Sequence, residues 1–202
     1  VFEVRETYHP EMVTAFIRLD GMTVGVAANC SASLDAEGKA VSYEKKLTTG
    51  GCEKVARFVR FCDAFEIPVL TFTETTGSLA SKDEEKSIAR AAAALTHAFA
   101  GATVPKINVI TGEASGSAYL TMNSKAIGAD LVYAWPAASI GMMDPQAAAR
   151  IMYAGQIDGA EDKAAALKEA ADRYAKLQSS AEAAARRGYV DHIIDPESTR
   201  KY

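Results

Sequence analysis

Residues 105–125, PKINVITGEASGSAYLTMNSK, decide the fold. The run from Pro105 to Thr111 is short, apolar and rich in β-branched residues, as a buried strand requires. Gly112-Glu113-Ala114-Ser115-Gly116-Ser117-Ala118 follows, and the helical spacing resumes only beyond it. Such small residues let backbone approach a ligand, and the next helix aims its free first-turn N–H groups outward, which suits an oxyanion. They equally let a helix pack closely on a sheet, and spacing alone favours that plainer reading.

The flanking sequence repeats the rhythm. Upstream, Val55, Phe58, Val59, Cys62 and Phe65 recur at three- and four-residue steps, with Lys54, Arg57 and Arg60 on other faces, so an amphipathic helix is expected to stop before Pro68. Residues 68–73 read as a buried strand and 74–78 as a loop at its carboxyl end. Asp83-Glu84-Glu85 is expected to open a helix reaching about Ala100, its acidic first turn complementing the helix dipole, though such a run is most often a solvated helix start. Downstream, 131–134 reads as a fourth buried strand, 144–154 as a helix, and 158–187 as one long Ala-, Lys- and Glu-rich helical stretch stopped by Gly188. At the other end, 14–19 and 22–28 flank Asp20-Gly21, a hairpin signal, and 29–49 reads as a surface loop ended by Gly50-Gly51.

Strand and helix alternating in this way, with the later strands almost wholly apolar, imply βαβ units, helices packed around a mostly parallel sheet, and an α/β fold. Ligands in such sheets sit at the carboxyl ends of the strands, so 74–78 and 112–118 carry the interest. A chain of 202 residues is of a size for a single domain. Its net charge of -4 and 8% aromatic content argue against a nucleic-acid binder. Cys30, Cys52 and Cys62 have neither disulfide-framework nor zinc-site spacing, so no metal is expected and two thiols are placed in the core. With no apolar run of about 20 residues and no basic-then-apolar leader, the chain is expected to be cytoplasmic. Lys106 and Lys125 read as solvated, Asp130 as a helix end or strand start, and Trp135-Pro136 as a packed strand end.

Three segments, 16–30 (FIRLDGMTVGVAANC), 50–72 (GGCEKVARFVRFCDAFEIPVLTF) and 102–136 (ATVPKINVITGEASGSAYLTMNSKAIGADLVYAWP), resemble in order and spacing the carboxyl-terminal half of the biotin-dependent acyl-CoA carboxyltransferases. That family contains propionyl-CoA carboxylase β chains and methylmalonyl-CoA decarboxylase α chains. The resemblance implies a crotonase-like fold, with residues 1–202 as one biotin-side domain of a longer chain or complex. It implies carboxyl transfer between carboxybiotin and a short acyl-CoA of the propionyl/methylmalonyl, acetyl/malonyl or glutaconyl class. The implied partners are a biotin carboxyl carrier protein, an amino-terminal carboxyltransferase half, further copies in a homo-oligomer and, for decarboxylase relatives, a membrane complex. Without that half the domain should be inactive.

At the site, the resemblance makes the backbone N–H groups of Ser117 and Ala118 the donors to the ureido oxygen of biotin. Gly77, Gly116, Tyr119 and Leu120 become biotin or substrate contacts, although Leu120 also reads as core. Ser117 stands where the family has glycine, and a side chain there crowds the cofactor or resists the φ needed. Where the family has Asp-x-Pro-Gly-Phe-x-x-Gly, this chain has residues 74–81, ETTGSLAS, with only Gly77 in place. These departures motivate two rival readings: a non-catalytic scaffold, and a stand-alone crotonase-type hydratase or isomerase, for which paired acids are not evident. Serine catalysis at Ser117 lacks a triad context for His9, His97 or His192.

Overall fold

The computed structural model describes residues 1–34 and 37–202. Strands β2 (Met12–Leu19) and β3 (Met22–Asn29) form the expected hairpin, with Asp20 at φ 48° and Gly21 at φ 82°. Two left-handed residues are what a tight turn matched to strand twist demands. Beyond it, β4 (Ala32–Leu34) and β5 (Ala40–Ser42) pair with each other, so the expected loop contains a small hairpin; its residues 35 and 36 lie outside the described residues.

Helix α1 (Thr49–Ala64) begins earlier than expected, with Gly50 and Gly51 in its first turn. The Thr48 hydroxyl accepts from the Gly51 amide at 3.0 Å. Glu84 Oε2 accepts from the Thr49 amide at 2.6 Å and its hydroxyl at 2.7 Å. The acidic run therefore serves the α1 terminus, because α2 (Ile88–Gly101) starts only after a 3-10 turn at Glu84–Lys86. At its other end α1 closes with Glu66 at φ 56° and Ile67 N donating to Cys62 O at 2.8 Å, a left-handed cap directly before Pro68.

Strands β6 (Val69–Thr75), β7 (Lys106–Ser115) and β8 (Leu131–Ala134) pair in parallel, and β3 joins β6 in parallel. With β1 (Phe2–Glu3) and β10 (His192–Ile193) at the edges the order is β1-β2-β3-β6-β7-β8-β10, and β9 (Ser139–Gly141) pairs the far end of β7. The predicted loop after the 105–111 strand is thus partly strand: Glu113–Ser115 have partners in β9. Helices α1 and α2 cover one side through Val55, Val59, Cys62, Leu95 and Phe99, each 0% exposed. Cys52 and Cys62 are the two buried thiols.

Short α3 (Gly116–Thr121) follows β7 directly. The turn after it is pinned from below: Asn108 Nδ2 donates to Met122 O at 3.2 Å, and the Thr71 and Thr73 hydroxyls donate to Asn108 Oδ1 at 2.9 and 2.8 Å. Lys106 is not solvated but buried, its Nζ donating to Phe99 O at 2.9 Å and Ala102 O at 2.8 Å, where α2 leaves carbonyls free. Lys125 pairs with Asp191 at 2.8 Å. Asp130 accepts the Lys106 amide at 2.7 Å, and Trp135 Nε1 donates to Thr199 at 3.0 Å.

The carboxyl-terminal arm is α4 (Pro145–Met152), α5 (Ala154–Asp158), α6 (Lys163–Tyr174) and α7 (Ala181–Arg186). The single long helix expected over 158–187 is interrupted. A π-helical turn at Ala175–Ser179 ends at Ser180, whose extended backbone bridges Ser139 and whose hydroxyl caps α7 through the Ala183 amide at 3.1 Å. Gly188, at φ 77°, ends α7 as expected.

Candidate functional site

Strand β7 runs into α3 with one residue of adjustment. Gly116 takes φ 68°, which only glycine adopts cheaply, and Ser117 is not among the residues of positive φ. The strain expected at Ser117 is absent because the left-handed position lies one residue earlier. Ser115 flanks the helix but makes no side-chain capping bond, so the first-turn N–H groups of Ser117 and Ala118 receive no cap from it. Ser117 is exposed, while Ala118 and Tyr119 are buried at 1% and 4% exposure. The arrangement sets two adjacent amides at the start of α3, the first on an exposed residue and the second on a buried one, with the turn after the helix fixed by Asn108.

Tyr119 and the half-buried Leu120 reach a different place, a cleft of about 470 Å³ shared with Ile140, Met142, Arg187 and Tyr189. Burial, and secondarily Tyr189, pushes the Tyr119 phenol up to about 12, so it stays a neutral hydroxyl. Arg187 is held by the carbonyl of Gln178 at 2.9 Å and by the Gln178 side-chain oxygen. Sequence reasoning missed Arg187 and Tyr189; the only signal near them is the helix stop at Gly188.

Gly77 sits at φ 147° past the end of β6, its carbonyl accepting from the Leu47 amide at 2.8 Å. It does not line the cleft of Tyr119 and Leu120. The six predicted site residues therefore divide into Gly116–Leu120 on one turn and Gly77 on a neighbouring strand end. Beside Gly112 lies an ion pair that sequence reasoning also missed, Lys45 with Glu74 at 2.6 Å. The hydrogen bond to Glu74 holds the Lys45 ammonium above its ordinary pKa. A Cβ at position 112 would strike the Glu74 carboxylate, so Gly112 makes room for Glu74 and not for a ligand.

Among the described residues no group of three or more His, Cys, Asp or Glu could hold a metal, and no helix is long and apolar enough to cross a membrane. The chemistry on offer is neutral hydrogen-bond donation toward developing negative charge.

A family model described as Carboxyl transferase domain matches residues 1–202. The carboxyltransferase subunit of propionyl-CoA carboxylase from Haloferax mediterranei is 41% identical over 98% of this chain, which spans 37% of that protein. Methylmalonyl-CoA decarboxylase subunit alpha from Propionigenium modestum is 38% identical over 98% of the chain, again 37% of its own length. Among solved structures, the transcarboxylase 12S hexamer with methylmalonyl-coenzyme A and methylmalonic acid bound superposes at a TM-score of 0.90, with 36% identity over 99% of this chain and 37% of that one. The chain thus spans little more than a third of the length of the relatives it matches.

Proposed function

Because the chain belongs to the carboxyl transferase domain family, we propose that residues 1–202 are the biotin-side, carboxyl-terminal domain of an acyl-CoA carboxyltransferase or decarboxylase. Its architecture is the crotonase-like α/β fold. The reaction is carboxyl transfer between carboxybiotin, carried on a biotin carboxyl carrier protein, and the α-carbon of a short acyl-CoA. An amino-terminal half supplies the acyl-CoA site, and a homo-oligomer brings the halves together. The methylmalonyl-coenzyme A in the transcarboxylase 12S structure supports a substrate of that class.

The observation that carries this reading is the uncapped first turn of α3. Biotin supplies a ureido group that accepts and releases the carboxyl. The part assigned to this chain is to donate the Ser117 and Ala118 amides to the ureido oxygen, where negative charge grows as the carboxyl departs. Donors fixed before the reaction need no reorganisation during it, and a backbone amide, unlike an acid, cannot lose its proton to the oxyanion. Gly116 sets the direction of the two amides, and Tyr119 anchors the turn. Leu120, in its own cleft, is assigned to the acyl chain, and Gly77, past the end of β6, to biotin or substrate. The ordinary φ of Ser117 favours this over the scaffold reading, since the residue that prompted doubt keeps a usable amide.

The test is co-expression with the amino-terminal half and an assay of malonyl-CoA and methylmalonyl-CoA decarboxylation with free biotin. Ala118→Pro removes one donor from the first turn of α3 and should lower kcat by about 10²–10³, read in preparations whose fold and assembly are verified by thermal melts and sedimentation. Unchanged turnover in that variant would remove the amide role, and an inactive but well-assembled wild type that binds CoA would return the scaffold reading.

A further inference from the structure

We propose that the cleft between the β1–β2 edge and α1 binds a small organic anion with an apolar body, of the medium-chain monocarboxylate class. The cleft has a volume of about 320 Å³, within the range of roughly 300–1,000 Å³ usual for small-molecule sites. Phe16, Phe58 and Phe61 form its apolar wall, with the Phe16 ring 5.1 Å from that of Phe58 and 6.0 Å from that of Phe61. Arg5, Lys54 and Arg57 are its charged members.

Lys54 is the anomaly. It is 2% exposed, and its Nζ makes one long hydrogen bond, to His9 O at 3.3 Å. A lysine this deep is ordinarily paired, because taking an ammonium out of water is costly without a counter-charge. Among the described residues no carboxylate comes within ion-pair distance of Lys54, Arg5 or Arg57. Glu3 and Glu11 act on Lys54 only from farther away, and Glu11 is already engaged by His9 at 2.8 Å and Thr48 at 2.6 Å. Burial accordingly holds the Lys54 ammonium below its ordinary pKa.

Three cations without carboxylates, one of them buried, thus face a cavity with an aromatic wall. A carboxylate placed among them supplies the missing charge, and an alkyl chain behind it covers the phenylalanines, of which Phe61 is otherwise 47% exposed. Arg5 and Arg57 are exposed on the rim, Arg5 with its guanidinium 6.0 Å from the centre of the Tyr8 ring, and both can turn toward the head group. The cleft shares no residue with the α3 site, so this inference stands or falls apart from the proposed reaction.

Octanoate is the probe, titrated calorimetrically into the assembled protein that contains this chain, with Lys54→Met and Arg57→Gln as variants checked by thermal melts. Saturable binding is expected that weakens about tenfold or more in Lys54→Met and less in Arg57→Gln, and octanol, with the same tail and no charge, should bind at least about tenfold more weakly than octanoate. Arg57 is exposed, so its variant reports even if Lys54→Met fails to fold. No saturation by wild type, equal affinity for octanol, or unchanged affinity in the folded variants would overturn the site; tighter binding of octyl phosphate would overturn its assignment to carboxylates.

Discussion

The α1–α2 layer and the carboxyl-terminal arm from α4 to α7 are both helical, yet they are built on opposite plans. In the first, large side chains interlock: Val55, Val59, Leu95 and Phe99 are fully enclosed, and the α1 terminus is capped twice, by Thr48 and by Glu84. In the second, the enclosed residues are alanines, Ala149 of α4 against Ala170 and Ala171 of α6, while Ile151, Met152 and Leu177 point outward. Tyr153, Ile157 and Leu167 pack around these alanines but stay partly exposed, so the arm encloses no large side chain. The α1–α2 layer thus encloses most of its large side chains, Phe61 and Phe65 apart, whereas the arm encloses none and leaves Ile151, Met152 and Leu177 exposed.

This contrast can be broken by size changes of opposite sign. Phe99→Ala should produce the largest loss, about 3–5 kcal/mol in denaturant unfolding, because the ring is enclosed and its cavity is walled by a rigid sheet and α1. In the arm there is no comparable side chain to delete, and the sensitive change is enlargement. Ala149→Leu, at a site with 0% exposure, should cost about 1–3 kcal/mol by forcing α4 from α6. If Ala149→Leu were neutral or stabilising, the arm would hold an unfilled core and the distinction would fail.

The same contrast explains what could be read from the sequence. Period and turn chemistry are local, so Asp20-Gly21, the three- and four-residue steps of α1 and the apolar runs of β6, β7 and β8 were legible. Strands β9 and β10 were not, since three and two residues carry no period and exist only because β7 and β8 offer partners. In the arm the Ala-, Lys- and Glu-rich run before Ser179-Ser180 favours helix, and the two serines are a weak local sign of a break that the bridge to Ser139, far along the chain, fixes. At the site, family pattern pointed to Ser117 and Ala118, but the location of the left-handed residue at Gly116 is a backbone fact. Gly112 misled for a related reason. A small residue signals close approach without saying by what, and here the approaching group is Glu74.

The smallest expected effect concerns the seam that ties α1 to the end of α2. Asp63 Oδ1 accepts from the Thr103 amide at 2.6 Å, the Thr103 hydroxyl at 3.1 Å and the Val104 amide at 3.3 Å. The Thr103 amide bond leads in holding this carboxyl below its ordinary pKa of 3.8. A carboxylate more acidic in the folded than in the unfolded chain adds stability above the unfolded pKa and loses it as pH falls through the folded one. The contribution is thus complete at neutral pH and disappears below about 3.8. Asp63→Asn retains an oxygen that can accept the same amides, so it removes only the charged part of the interaction, under about 1 kcal/mol after solvent screening. The variant should melt slightly lower than wild type at pH 7, and the two should converge on acidification below the carboxylate range. Parallel Tm-against-pH curves would mean that the seam is held by hydrogen-bond geometry alone, and that the α1–α2 layer rests on packing without electrostatic help.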